Sequence, residues 1–127
     1  KFPKSLIGVF KNILENGIKF NDNKIPVFEI EVWDNATHFY FSIQDNGIGI
    51  AKEYHQHIFE LFKRLHPREE YAGPGIGLSI CKKIVQQLKG DIEVQDSGNK
   101  GTTIVFWISK AACQIYAAPL ATTALKN

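Results

Sequence analysis

Asn12, Asn16 and Lys19 are spaced four and three residues apart, so on a helix all three share one face. Two amide oxygens one turn apart can both reach a hard cation such as Mg2+, which takes oxygen ligands and keeps water and substrate phosphates in its shell. A lysine just beyond could hold a phosphate as a point charge. Taken alone, the trio also describes a solvated helix face. Asp45-Asn46-Gly47-Ile48-Gly49 sets an acceptor at a strand end beside closely approaching backbone. Such a carboxylate suits a donor like the adenine amino group, although an ordinary Asx turn has the same residues. Gly73-Pro74-Gly75-Ile76-Gly77-Leu78 leads into a strong helical pattern, where free N–H groups bind anions such as phosphate. Glycine hinges would look the same. No strand directly precedes these glycines and no Gly-Lys-Ser/Thr ending follows, which excludes a dinucleotide fingerprint and a P-loop. Gly98-Asn99-Lys100-Gly101-Thr102-Thr103 is, by itself, a hairpin turn.

The elements that must position these residues follow from hydrophobic periodicity. Ile7, Phe10, Leu14 and Ile18 predict a helix over 5–20, widened by Leu6, Val9 and Ile13 and packed against a sheet. Its Asn12/Asn16/Lys19 face is turned well away from Ile7, Phe10 and Leu14. Asn21-Asp22-Asn23 ends it and Pro26 blocks continuation. Alternation predicts strands at 27–33 and 38–44 around Asp34-Asn35, an antiparallel hairpin. A short helix is expected over 53–63 with Ile58, Phe59 and Phe62 inward, then a mobile loop over 64–75. Ile80, Ile84 and Leu88, joined by Cys81 and Val85, predict a helix over 77–88, with Lys89 suiting its dipole and Gly90 at the C-terminal cap. Strands at 91–95 and 102–109 complete the order. It implies an α/β (α+β) two-layer sandwich, helices on one face of a mixed, mostly antiparallel sheet. The Ala- and Thr-rich stretch 111–127 reads as a helix, a linker or a foreign tail.

The chain has 127 residues, 44% hydrophobic and 22% charged, with net charge +2. That fits one domain, here residues 1–110, and gives no case for bulk nucleic-acid or membrane attraction. Cys81 and Cys113 form no CxxC pair, and His38, His55, His57 and His66 offer no metal spacing. No apolar run approaches the roughly 18 residues of a membrane span, and no signal peptide is evident. The segment is expected to face a reducing, cytoplasmic compartment, from a parent that is either membrane-bound or soluble.

In order and spacing, the motifs resemble the catalytic ATP-binding domain of sensor histidine kinases, in the superfamily shared with gyrase-type ATPases and a heat-shock chaperone family. Asn12 to Phe20 resembles the N box, Asp45 to Gly49 the first glycine box, and Ile58 to Arg64 the F box. Gly73 to Leu78 resembles the second glycine box and Gly98 to Thr102 the third. Phe62 to Val85 is similar to phytochrome-type and related PAS-linked kinases. The resemblance spans about 5–109 and implies a Bergerat-type ATP-binding fold with ATP and Mg2+ as cofactors.

The resemblance also implies roles. Asn12 and Asn16 would hold Mg2+, Lys19 would contact phosphate and Phe20 would lie against adenine. Asp45 would accept from the adenine amino group, with Gly47 and Gly49 admitting the backbone. Arg64, with Lys63 beside it, would reach the outer phosphates. Gly75, Gly77 and Leu78 would offer N–H groups, and Thr102 would support the adenine end. The sequence departs from the family pattern at Gly17, where Ala is usual and which weakens a helix by up to about 1 kcal/mol. It departs also at Pro74, in place of Thr, and Ile104, in place of Phe. A gyrase-type ATPase would carry Glu at Asn12. The phosphoacceptor histidine would lie upstream of Asn12 on a separate dimerisation domain, leaving this piece monomeric and unable to phosphorylate itself. ATP or ADP, that histidine domain and a downstream response regulator are the implied partners, with no nucleic acid. The alternatives are a degenerate nucleotide-binding or docking module and a same-superfamily ATPase.

Overall fold

The computed structural model describes residues 2–22, 25–55, 57–59, 77–95 and 101–114. The expected loop over 64–75, the Phe62, Arg64 and Gly75 positions, and residues 115–127 lie outside the described residues.

The first helix, α1 (Ser5–Lys19), precedes strands β1 (Phe28–Asp34) and β2 (His38–Asp45). A second helix, α2 (Gly77–Gln87), precedes β3 (Asp91–Gln95) and β4 (Thr103–Ser109). The strands pair in the order β1-β2-β4-β3, and every described pairing is antiparallel. Phe41 of β2 lies opposite Phe106 of β4 and their rings stack at 4.8 Å, while Phe10 of α1 meets both edge-on. The helices cover one sheet face, where Phe41, Ile43, Ile92, Ile104, Phe106 and Ile108 are buried. The core continues into the helical residues 110–114, where Ala112 and Cys113 are buried.

Each helix is rotated about its axis from the expected stripe. In α1 the buried line is Leu6, Val9, Ile13 and Gly17, while Ile7 and Ile18 are 70% and 54% exposed. In α2 it is Cys81 and Val85, followed by Leu88, and Ile80 is exposed. The physical reason is the helix–helix contact. Small residues let the two helices approach, and the Cys81 thiol donates to the Val9 carbonyl at 3.6 Å. Burial pushes that thiol up to about 12, so it stays an uncharged packing group.

Two further expectations are corrected. The described part of 53–63 forms two 3-10 turns, Lys52–Tyr54 and His57–Phe59. The i→i+3 bonds from Tyr54 to Ala51 and from His55 to Lys52 tighten the first, and a His55 ring nitrogen pairs with the Ile50 carbonyl. Ile58 and Phe59 are nonetheless buried, as their positions predicted. At the end of α2 the left-handed residue is Lys89 (φ 62°), not Gly90. Lys89 donates to Gln86 and Gly90 to Val85, the two bonds of a Schellman cap. Gly90 is glycine for another reason, since a Cβ there would lie 1.7 Å from the Trp107 carbonyl oxygen of β4.

Candidate functional site

Asp45 ends β2 where two glycine turns cross. Its backbone N–H donates to the Thr102 carbonyl at 2.8 Å, which ties β2 to the residue that opens β4. Its Oδ1 accepts from the N–H groups of Gly47 at 2.8 Å and Thr102 at 3.1 Å. Oδ2 has no protein partner among the described residues. Burial raises the carboxyl above its ordinary value, against the lowering pull of the Gly47 and Thr102 N–H groups. Asp45 is therefore an oriented acceptor, held by one oxygen and presenting the other.

The glycines make that crossing possible. A Cβ on Gly101 would sit 1.8 Å from the Asp45 carbonyl oxygen, and Gly101 holds φ 63°. A Cβ on Gly47 would meet the Phe20 carbonyl oxygen at 2.5 Å, because the turn after Asp45 passes over the end of α1. There Ile48 donates to Phe20 at 3.0 Å, which sets half-buried Phe20 beside the Asp45 turn. Gly49, at φ 83°, packs against Gly101. Thr102 is buried at 8% exposure.

The asparagine pair lies on the α2 side of α1. The Asn16 amide nitrogen donates to the Asn12 carbonyl at 3.0 Å, which orients the side chain and leaves its Oδ1 without a partner among the described residues. Asn12 lies beside the Cys81 thiol. A Cβ built on Gly77, the first residue of α2, would lie 3.5 Å from Asn12 Oδ1 and 3.6 Å from Asn16 Nδ2. The amides thus face the first turn of α2, whose N–H groups point out along the helix axis. Leu78, next in that turn, packs on the core. Lys19 is exposed in the last turn of α1.

Gly17 joins the two halves. Asp45 Cβ lies 3.2 Å from where a Gly17 Cβ would be, and the Phe28 ring 2.4 Å away. The structure therefore brings together Asn12, Asn16, Phe20, Asp45, Gly47, Gly49, Gly77 and Thr102, with Leu78 alongside. Arg64 and Gly75 lie outside the described residues. Gly17, expected only to weaken the helix, is the gap that admits Phe28. Reading the sequence also missed Asn46, whose Oδ1 accepts from Asn21 at 2.7 Å and from the Val27 N–H at 3.0 Å, and whose amide donates to Ile25. It staples the segment after α1 to the Asp45 turn. Gly101 was placed in a turn and in the third glycine box, with no role of its own. The nearest signal for both is their adjacency to Asp45 and Thr102 in the motifs.

Among the described residues no group of three His, Cys, Asp or Glu could hold a metal. A cation here would rest on the Asn12 and Asn16 amide oxygens plus oxygens of a bound phosphate, a donor set that suits Mg2+.

Residues 2–112 match the family described as histidine kinase-, DNA gyrase B-, and HSP90-like ATPase. The chain is 43% identical over 105 residues to the phytochrome-like protein Cph1 of Synechocystis sp., covering 81% of this chain and 14% of that protein. It is 37% identical over 101 residues to the sensor histidine kinase WalK of Bacillus subtilis, covering 77% and 16%. Among solved structures it is similar to the mycobacterial sensor histidine kinase MprB, with TM-score 0.69 at 25% identity over 80% of this chain and 68% of that one. The catalytic domain of histidine kinase ThkA gives TM-score 0.65 at 27% identity, covering 80% and 64%. Since the match runs from the helix of Asn12 and Asn16 through the strand that follows Thr102, the chain belongs to the histidine kinase-, DNA gyrase B- and HSP90-like ATPase family, as a homologue of sensor histidine kinase catalytic domains.

Proposed function

We propose that this chain is the ATP-binding catalytic domain of a two-component sensor histidine kinase, and that it presents the γ-phosphate of ATP to a histidine on a separate helical domain. The observation that carries this reading is the junction at Gly17, with the Asp45 acceptor on one side and the Asn16 amide, facing α2, on the other.

Asp45 Oδ2 accepts from the adenine amino group while Gly47 and Thr102 hold Oδ1. Phe20 lies against the base, Gly47 and Gly49 keep its edge clear of side chains, and Thr102 braces the carboxylate. Lys19 reaches phosphate as a point charge, and Gly77 and Leu78 offer backbone N–H groups to it. Arg64 and Gly75 join them on sequence grounds. Asn12 and Asn16 would hold Mg2+ through their amide oxygens, and the chemistry it would supply there is neutralisation of charge on the phosphates.

Transfer forms a nitrogen–phosphorus bond to the acceptor imidazole and breaks the γ-phosphorus–oxygen bond, releasing ADP. A neutral imidazole has a free lone pair, so no general base in this chain is needed, and positioning supplies most of the rate. Asn12 favours a kinase over a water-activating ATPase, because an amide cannot take a proton from water. The phosphate passes on to a response-regulator aspartate. No helix among the described residues is long and apolar enough to cross a membrane.

The test is transfer in trans. The chain is incubated with Mg-ATP and the histidine-bearing helical domain of its parent, and acid-labile phosphate on that domain is followed. Labelling that needs both proteins supports the kinase. Nucleotide binding without labelling supports the docking module, and ADP release without labelling supports the ATPase.

A further inference from the structure

The sheet face opposite the helices carries a pattern that nucleotide binding does not use. Register aligns Trp33 of β1, Tyr40 of β2, Trp107 of β4 and Asp91 of β3 in one row. Trp33 stacks on Tyr40 at 5.6 Å and 7°, and Tyr40 meets Trp107 at 6.0 Å. Trp33 is 45% exposed although it is among the largest apolar side chains of the molecule. Two residues along each outer strand, on the same face, stand Glu31 of β1 and Glu93 of β3, and Glu29 follows Glu31. All three glutamates are exposed, and none forms an ion pair among the described residues. Two lysines beside the face are engaged: Lys82 with Asp91 at 3.4 Å, and Lys110 with Asp34.

The charge decides which partner fits. An aromatic row on a four-stranded antiparallel sheet could stack nucleobases, but these carboxylates repel a phosphate backbone. A second copy would set glutamates against glutamates. A guanidinium matches both halves of the pattern, since it lies flat over an indole and forks onto carboxylates. Two residues along a strand is about 7 Å, so a guanidinium over the row has Glu31 or Glu93 within reach. We infer that this face is a docking surface for an arginine-rich segment of a partner protein, read by the Trp33–Tyr40–Trp107 row and by Glu31 and Glu93.

The chain's only two tryptophans both lie in the row, so their indole N–H signals report on this face directly. The 127-residue chain is titrated at low salt with hexa-arginine, hexalysine and an oligothymidylate, and the two indole cross-peaks are followed by NMR. Hexa-arginine is expected to shift both peaks saturably, with an affinity that falls as salt is added. Hexalysine should bind several-fold more weakly, and the oligothymidylate should leave the peaks in place. Glu31→Lys together with Glu93→Lys should weaken hexa-arginine at least about tenfold, while ATP affinity and the thermal midpoint stay as in the parent chain. Unmoved indole peaks, an equal response to hexalysine, an equal response in the charge-reversed chain, or a shift by the oligothymidylate would each overturn the inference.

Discussion

Asp45 makes opposing demands on protein and ligand. Burial raises its carboxyl pKa, so the ionised form is unfavourable in the folded chain. The destabilisation is present at neutral pH and is relieved as pH falls through the raised value. The proposed adenine recognition runs the other way, because there the carboxylate must be an acceptor. ATP affinity is therefore expected to fall on acidification at a pH above the ordinary carboxylate range, while stability from this group rises. Asp45→Asn should flatten both profiles, which calorimetric titration and thermal melts across pH would show. An unchanged affinity profile in the variant would remove Asp45 from the base site. Gly17 offers a second test, because its missing Cβ is replaced by the Phe28 ring. Gly17→Ala should destabilise by about 1–3 kcal/mol. In a Phe28→Ala background most of that effect should vanish, and chemical denaturation of the four chains measures the coupling.

The cap of α2 separates two residues that the sequence reading merged. Lys89 holds the left-handed conformation and Gly90 the close approach to Trp107. Lys89→Gly should stabilise by about 1 kcal/mol by relieving the left-handed residue. Gly90→Ala should destabilise by about 2 kcal/mol or more, since β4 backbone would have to move. Denaturant midpoints decide between this assignment and its reverse. The element boundaries were legible because strands alternate every two residues and Asn-, Pro- and Gly-rich turns separate them. The helix phases were less so. Large apolar residues pointed to Ile7, Ile18 and Ile80, whereas Gly17, expected only to weaken its helix, and Cys81, expected to flank its stripe, mark where helix meets sheet and helix. Asp45, Asn16 and the glycines were legible by type and order. Gly101 and Asn46 were not, because their work is a crossing between segments distant in sequence.

Across the molecule, burial is uneven in a way that follows the sheet order. Ile30 and Val32 lie opposite Ile43 and Phe41, yet stay 49% and 59% exposed because β1 is at the sheet edge. The opposite edge, β3, is covered by α2 and buries Ile92. The site sits where α1, α2 and the β2–β4 junction converge, so it depends on the well-packed side of the domain. The chain spans 14% of the length of the phytochrome-like relative. The proposed nucleotide binding draws only on residues of this chain. It is tested most directly by titrating the chain with ATP in Mg2+ and in EDTA, beside Asp45→Asn. Saturable one-to-one binding is expected, weaker in EDTA and weakened at least about tenfold, roughly 1.4 kcal/mol, by the substitution. No saturable binding, or equal binding by Asp45→Asn, would contradict it.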